Sequence, residues 1–102
     1  MTERHYRECV RVLGIDLGAK RIGVAVSDSS GTVATPLTVI ARSRSRRADH
    51  DAIARLVRDE EAEAVVVGLP LNMDGSRGPA AKAAAAEAEV LVTVVGVPVH
   101  LH

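Results

Sequence analysis

The sequence predicts an α/β fold with a mixed sheet, and three patterns carry that prediction. Two short apolar runs flank a glycine turn near the N-terminus, a continuous β-branched run lies mid-chain, and segments with helical spacing stand on either side of that run. Val10, Val12, Leu13 and Ile15 read as a strand buried on at least one face. Ile22, Val24, Ala25 and Val26 read as a second strand, with Gly18-Ala19-Lys20 as the hairpin between them. A third strand, Val33 to Ile40, contains Pro36. Proline has no backbone N–H to offer a ladder, which puts this strand at a sheet edge or a bulge and makes the three an antiparallel meander.

Beyond the meander, Arg42-Ser43-Arg44-Ser45-Arg46-Arg47 reads as a basic loop. Asp49 to Arg58 follows as an amphipathic helix, with Ala52, Ile53, Leu56 and Val57 at helical spacing. Asp59-Glu60-Glu61 opposes the helix dipole and ends it. Ala64 to Leu69 has the pattern of a strand buried on both faces of a parallel sheet. A turn-rich loop, Pro70 to Gly78, leads to Pro79, which suits a first helical position, and to an alanine-rich helix. Val90 to Val95 fits either the last turns of that helix or a separate strand; the reading taken is helix to about Val94, with Gly96 as its stop and Val97 to Leu101 as the last strand. Right-handed crossovers through the two helices then add two parallel strands to the meander. This is the element order of the ribonuclease H-like fold as far as its fifth strand.

Composition narrows the functions open to such a domain. The 102 residues suffice for one small core, and 47% are apolar. Tyr6 is the only aromatic residue, which excludes stacking of bases on aromatic platforms. Thirteen basic residues balance thirteen acidic ones, so any attraction to nucleic acid must come from local clusters. Cys9 is the only cysteine, which rules out an internal disulfide and reads as a small hydrophobe at a strand start, with an intermolecular disulfide or a redox sensor as the alternatives. Met1 to Glu8 lacks an apolar leader core, and no run approaches a membrane span, so a soluble cytoplasmic protein is expected.

Asp16 is the leading site candidate, because it ends an apolar run just before a tight turn. A carboxylate there is costly unless a metal ion, Lys20 or Arg21, or the backbone N–H groups of the turn neutralise it. Asp74 is the next carboxylate by position and reads as a second metal ligand or as part of a Met-Asp-Gly turn; Asp28 reads as a turn residue. Lys20 and Arg21 can contact a phosphate or balance Asp16. Arg42, Arg44, Arg46 and Arg47 can follow a nucleic-acid backbone or form a solvated loop. Asn72, Ser76 and Arg77 can position substrate or stabilise their own loop. His100 and His102 share one face of a strand at a chelating spacing, without a third ligand.

Four stretches resemble the YqgF/RuvX family, the Holliday junction resolvase-like proteins and pre-16S ribosomal RNA nucleases. They are Gly14-Ile15-Asp16-Leu17-Gly18 with Lys20-Arg21-Ile22-Gly23-Val24-Ala25, Ala34-Thr35-Pro36-Leu37, Val67-Gly68-Leu69-Pro70-Leu71-Asn72-Met73-Asp74-Gly75-Ser76, and Pro98-Val99-His100-Leu101-His102. The resemblance implies a single ribonuclease H-like domain over residues 1–102 and a metal-dependent nuclease. Asp16 would be catalytic and would hold Mg²⁺ or Mn²⁺, with Asp74 the second candidate ligand by its position alone, and the partner would be structured RNA or branched DNA. Members of that family continue past the fifth strand with an acidic Asp-Glu-Arg segment and a further helix. The resemblance therefore implies that residues 1–102 lack the C-terminal helix and part of the carboxylate set, are inactive alone, and can associate as a homodimer through the open sheet. The first hairpin by itself is shared with actin-like nucleotide-binding ATPases. That alternative expects small hydroxyl residues where this chain has Ala19-Lys20-Arg21. A non-catalytic nucleic-acid-binding module is the third reading.

Overall fold

A computed structural model describes residues 11–27 and 34–102. Expectations for Tyr6, Cys9, Val10, Asp28 and Val33 lie outside the described residues. The chain runs β1 (Val12–Leu17), β2 (Arg21–Ser27), β3 (Ala34–Ala41), α1 (Arg46–Asp59), β4 (Ala64–Val67), α2 (Pro79–Val95) and β5 (Val99–Leu101). The strands form one sheet in the order β3-β2-β1-β4-β5. β1 pairs antiparallel with β2 and parallel with β4, β2 pairs antiparallel with β3, and β4 parallel with β5. The meander with two added parallel strands is the predicted mixed sheet. No described helix is long and apolar enough to cross a membrane.

Alternation along the strands decides which face is covered. Leu13 and Ile15 of β1, Ile22 and Val24 of β2, and Val65 and Val67 of β4 point to one side, where they pack with Ile53, Ala54 and Val57 of α1 and Ala88, Leu91 and Val95 of α2. Both helices therefore cover the same face. The opposite face carries Gly14, Asp16, Gly23, Ala25, Val39 and Val66 around a shallow trough of about 450 Å³. This corrects the expectation for the fourth strand: its buried residues are Val65 and Val67, while Ala64 and Val66 are only half-buried.

Other departures have local causes. Pro36 lies opposite Ala25 on the edge strand, and the register shifts there so that Leu37 has no partner, which is how the missing N–H is accommodated. α1 starts at Arg46 rather than Asp49, because Ser45 caps it by accepting from the Ala48 N–H. Arg46 and Arg47 thus belong to a helix and not to the loop. α2 runs through the ambiguous segment to Val95 and stops at Gly96, whose φ of 74° is left-handed. Burial settles that choice, since Leu91 and Val95 continue the inward stripe begun by Ala81, Ala84 and Ala88. Two residues of the expected last strand, Val97 and Pro98, precede the observed β5.

The end of α1 is more specific than an acidic stop. Ala62 N–H donates to Val57 O at 2.9 Å and Glu61 N–H to Arg58 O at 3.1 Å, the pair of bonds that defines a Schellman closure. That closure needs a left-handed residue, and here it is Glu61 at φ 55°. A side chain is disfavoured in this conformation, so Glu61→Gly is expected to raise stability by about 0.5–1 kcal/mol. Thermal unfolding of the two proteins checks this; an unchanged or lower midpoint contradicts it.

Candidate active site

Asp16 is the penultimate residue of β1 and pairs across the hairpin with Gly23. Ile15 points into the core, so the alternation turns Asp16 to the uncovered face, where it is exposed. No described side chain hydrogen-bonds or pairs with its carboxylate, so solvent, rather than Lys20 or Arg21, meets the desolvation cost inferred from the sequence. Gly23 gives the carboxylate a neighbour without a side chain.

The turn after Asp16 is tightly closed. Gly18 N–H lies 3.1 Å from Asp16 O and 3.0 Å from Arg21 O. A Cβ on Gly18 would come within 2.6 Å of the Arg21 carbonyl oxygen, so only glycine fits. This turn presents Lys20 and Arg21 with exposed side chains. Arg42 N–H donates to Lys20 O at 2.9 Å, which brings the segment after β3 against the turn. Exposed Arg44, Arg46 and Arg47 follow, and Arg44 and Arg46 share a small cleft with Ala19. The sequence-distant cations Lys20, Arg21, Arg44 and Arg46 are thereby gathered at one end of the sheet.

Arg42 departs from the expectation of a solvated, phosphate-facing residue. Its terminal nitrogens donate to both Glu87 oxygens at 2.6 and 2.9 Å, and its Nε donates to Gly18 O at 3.0 Å. The fork is used inside the protein, which leaves no donor edge for a phosphate. Around it lies a buried polar cluster. His50 Nε2 is 2.7 Å from Glu87 Oε2, Arg46 is 3.4 Å from Glu87 Oε1, and Asp49 accepts from the Ser43 N–H and hydroxyl at 2.9 and 2.7 Å. Asp49, His50 and Glu87 are each at most 5% exposed. Burial pushes the Glu87 carboxyl up, but hydrogen bonds from Arg42 and His50 and the nearby guanidinium charge outweigh it and hold the pKa at about 2. Asp49 is held below the usual carboxylate range chiefly by its two bonds from Ser43. The sequence reading missed this cluster. Its available signal was Glu87 standing three residues after Ala84 and four before Leu91, on the stripe that must be buried.

The loop between β4 and α2 is held by its own polar groups. Asn72 N–H donates to Ser76 O at 2.9 Å and its amide to Ser76 Oγ at 3.1 Å. Asp74 Oδ1 accepts from Ser76 Oγ at 2.6 Å and from Ser76 N–H at 2.9 Å, and these bonds hold its carboxyl below the ordinary range. Of the two sequence alternatives for Asp74, this geometry is that of the turn residue. Arg77 is exposed just before α2. His102 reaches the trough that contains Asp16, and His100 lies exposed on β5. Among the described residues, no three His, Cys, Asp or Glu side chains are grouped to hold a metal ion.

Residues 10–102 match a family profile described as RuvX: Holliday junction resolvase. A protein of Anaeromyxobacter sp. (strain Fw109-5) named "Putative pre-16S rRNA nuclease" is 51% identical over 92 residues, covering 90% of this chain and 66% of its own length. A protein of the same name from Myxococcus xanthus is 48% identical, with 90% of this chain and 60% of its own covered. The chain thus spans less than two thirds of these curated relatives. Among solved structures, RuvC of Thermus thermophilus in complex with a Holliday junction substrate superposes with a TM-score of 0.61 at 22% identity, covering 91% of this chain and 64% of that one, which is a likeness of fold.

The Glu87 cluster beneath the turn has a pH signature. Its folded pKa of about 2 lies below the ordinary 4.5, so the unfolded chain binds more protons between those values. The associated stability, of the order of 3 kcal/mol, is fully present above pH ~4.5 and is lost as the pH falls toward 2. Urea unfolding at pH 6, 4 and 3 checks this. The acid loss should be smaller in Glu87→Gln, and an equal loss in both proteins contradicts the assignment.

Proposed function

The chain belongs to the RuvX Holliday junction resolvase family, and on that premise we propose that it carries the catalytic core of a metal-dependent nuclease. The reaction is hydrolysis of phosphodiester bonds in structured nucleic acid, and processing of precursor 16S ribosomal RNA is the favoured task. The observation that carries the proposal is Asp16: a carboxylate with no described partner, exposed at the end of the central strand, beside a turn whose cations face solvent. The names of the relatives support the choice of RNA.

Asp16 fits a hard cation in part. Mg²⁺ and Mn²⁺ take oxygen ligands, and Mg²⁺ is commonly held by one or two carboxylates together with substrate phosphates and water. At the end of the central strand Asp16 is the carboxylate without a described partner, so it is the residue that would hold the ion. A bound ion would neutralise the phosphate and supply an activated water. The chain's other contributions are electrostatic. Lys20, Arg21, Arg44, Arg46 and Arg47 track the phosphate backbone, giving affinity with little sequence selectivity. Asn72, Ser76 and Arg77 edge the substrate path, on a loop whose hydrogen bonds fix it beforehand.

Two experiments test this. Cleavage of a precursor 16S RNA fragment and of a four-way DNA junction is measured with Mg²⁺ or Mn²⁺ in a chain of the relatives' full length, carrying residues 1–102 either unchanged or with Asp16→Asn. A loss of about 100-fold or more is expected in the variant. Equal cleavage removes Asp16 from the reaction, and preference for the junction moves the substrate to branched DNA. For binding, replacing Lys20 and Arg21 by glutamine should flatten the dependence of log affinity on log salt by about 0.7–0.9 per residue. An unchanged slope takes these residues off the phosphate path.

A further inference from the structure

Glu87 needs an explanation that packing does not supply. Its neighbours on the buried stripe of α2 are Ala84, Ala88 and Leu91, and an apolar residue there would avoid the cost of burying a carboxylate and the cations that answer it. What an apolar residue cannot do is orient a guanidinium. Both Glu87 oxygens take the two terminal nitrogens of Arg42, and because the guanidinium is planar, fixing those two nitrogens fixes the direction of the third. That third donor, Nε, meets the carbonyl oxygen of Gly18 at 3.0 Å. The backbone N–H of Arg42 meets the carbonyl of Lys20 at 2.9 Å. One residue therefore grips the β1–β2 turn at two carbonyls, and Gly18 N–H closes the same turn on Asp16 O. His50 and Arg46 in turn hold the two oxygens of Glu87.

We propose that Glu87 is a positioning residue: through Arg42 it holds the Gly18 carbonyl, and so sets the turn that carries Asp16, Lys20 and Arg21. The consequence for catalysis rests on the nuclease reading above, whereas the mechanical coupling of α2 to the turn does not. A purely structural role, docking α1 on α2, would stabilise the whole domain evenly. A positioning role stiffens the turn selectively.

Amide hydrogen exchange of the 102-residue chain separates the two roles. Arg42→Lys keeps a cation opposite Glu87 but has neither the planar fork nor Nε, and Glu87→Gln keeps the shape of the acceptor without its charge. Both variants are expected to exchange about tenfold faster at the amides of Gly18 and Arg42, relative to the amide of Val65 in β4. Changes at Gly18 and Arg42 that only parallel Val65, or no change at all, overturn the proposal. If either variant fails to fold, the other carries the same comparison. The functional arm is cleavage by Arg42→Lys, made like Asp16→Asn in a chain of the relatives' full length, where kcat should fall about tenfold with KM within twofold; a change confined to KM overturns the link to catalysis. Loss of turn protection together with full cleavage by Asp16→Asn would leave the coupling standing and remove the nuclease reading. Unchanged turn protection together with a dead Asp16→Asn would do the reverse.

Discussion

Burying the Glu87 carboxylate between α1, α2 and the segment after β3 obliges the chain to bring cations to it. Arg42 arrives from the end of β3, Arg46 and His50 from the first turns of α1, and Asp49 holds the intervening backbone through Ser43. Arg42 and Arg46 are separated from Glu87 by more than forty positions in the chain, so the cluster exists only once both crossovers are in place. It fixes where the second helix lies on the first and where the chain leaves β3. Since the same guanidinium also bonds Gly18, it joins the helical layer to the turn at the end of the central strand. Removing one partner leaves the other charge buried without compensation, which is the costly direction for such pairs.

The other constraint is the strict alternation of β1. With Leu13 and Ile15 facing the helices, Asp16 faces away from them, onto a face lined by Gly14, Gly23, Ala25 and Gly68. Small residues keep that face shallow and leave the carboxylate approachable. A charged group that would be prohibitive in the core is inexpensive there, because water reaches it. The cations are arranged by the same logic. Lys20 and Arg21 extend from a turn too tight for any residue but glycine at position 18, while the backbone contact from Arg42 to Lys20 brings the next arginines alongside.

Much of this was legible in the sequence because it depends on local rules. Period-two and continuous apolar runs locate the strands, Pro36 marks the edge, Gly96 marks the end of α2, and the position of Asp16 after Ile15 singles it out. The readings that shifted were those where a neighbour distant in sequence intervened. The arginine run looked uniform as a string, yet Arg42 is held inside by Glu87 whereas Arg44 and Arg47 face solvent. The fourth strand looked buried on both faces because β-branched residues fill it, but helices cover only one.

By itself the sequence determined the order and type of the elements, the mixed sheet they form and the residue at the end of its central strand, since periodicity, turn chemistry and proline geometry act over a few residues. Only the tertiary structure decided which charges are spent inside and which remain for a ligand. An Arg42–Glu87 pair is a matter of one helix and a strand end meeting at hydrogen-bond distance; the apolar stripe around Glu87 signals its burial, but nothing near it in the chain names the cation that answers it.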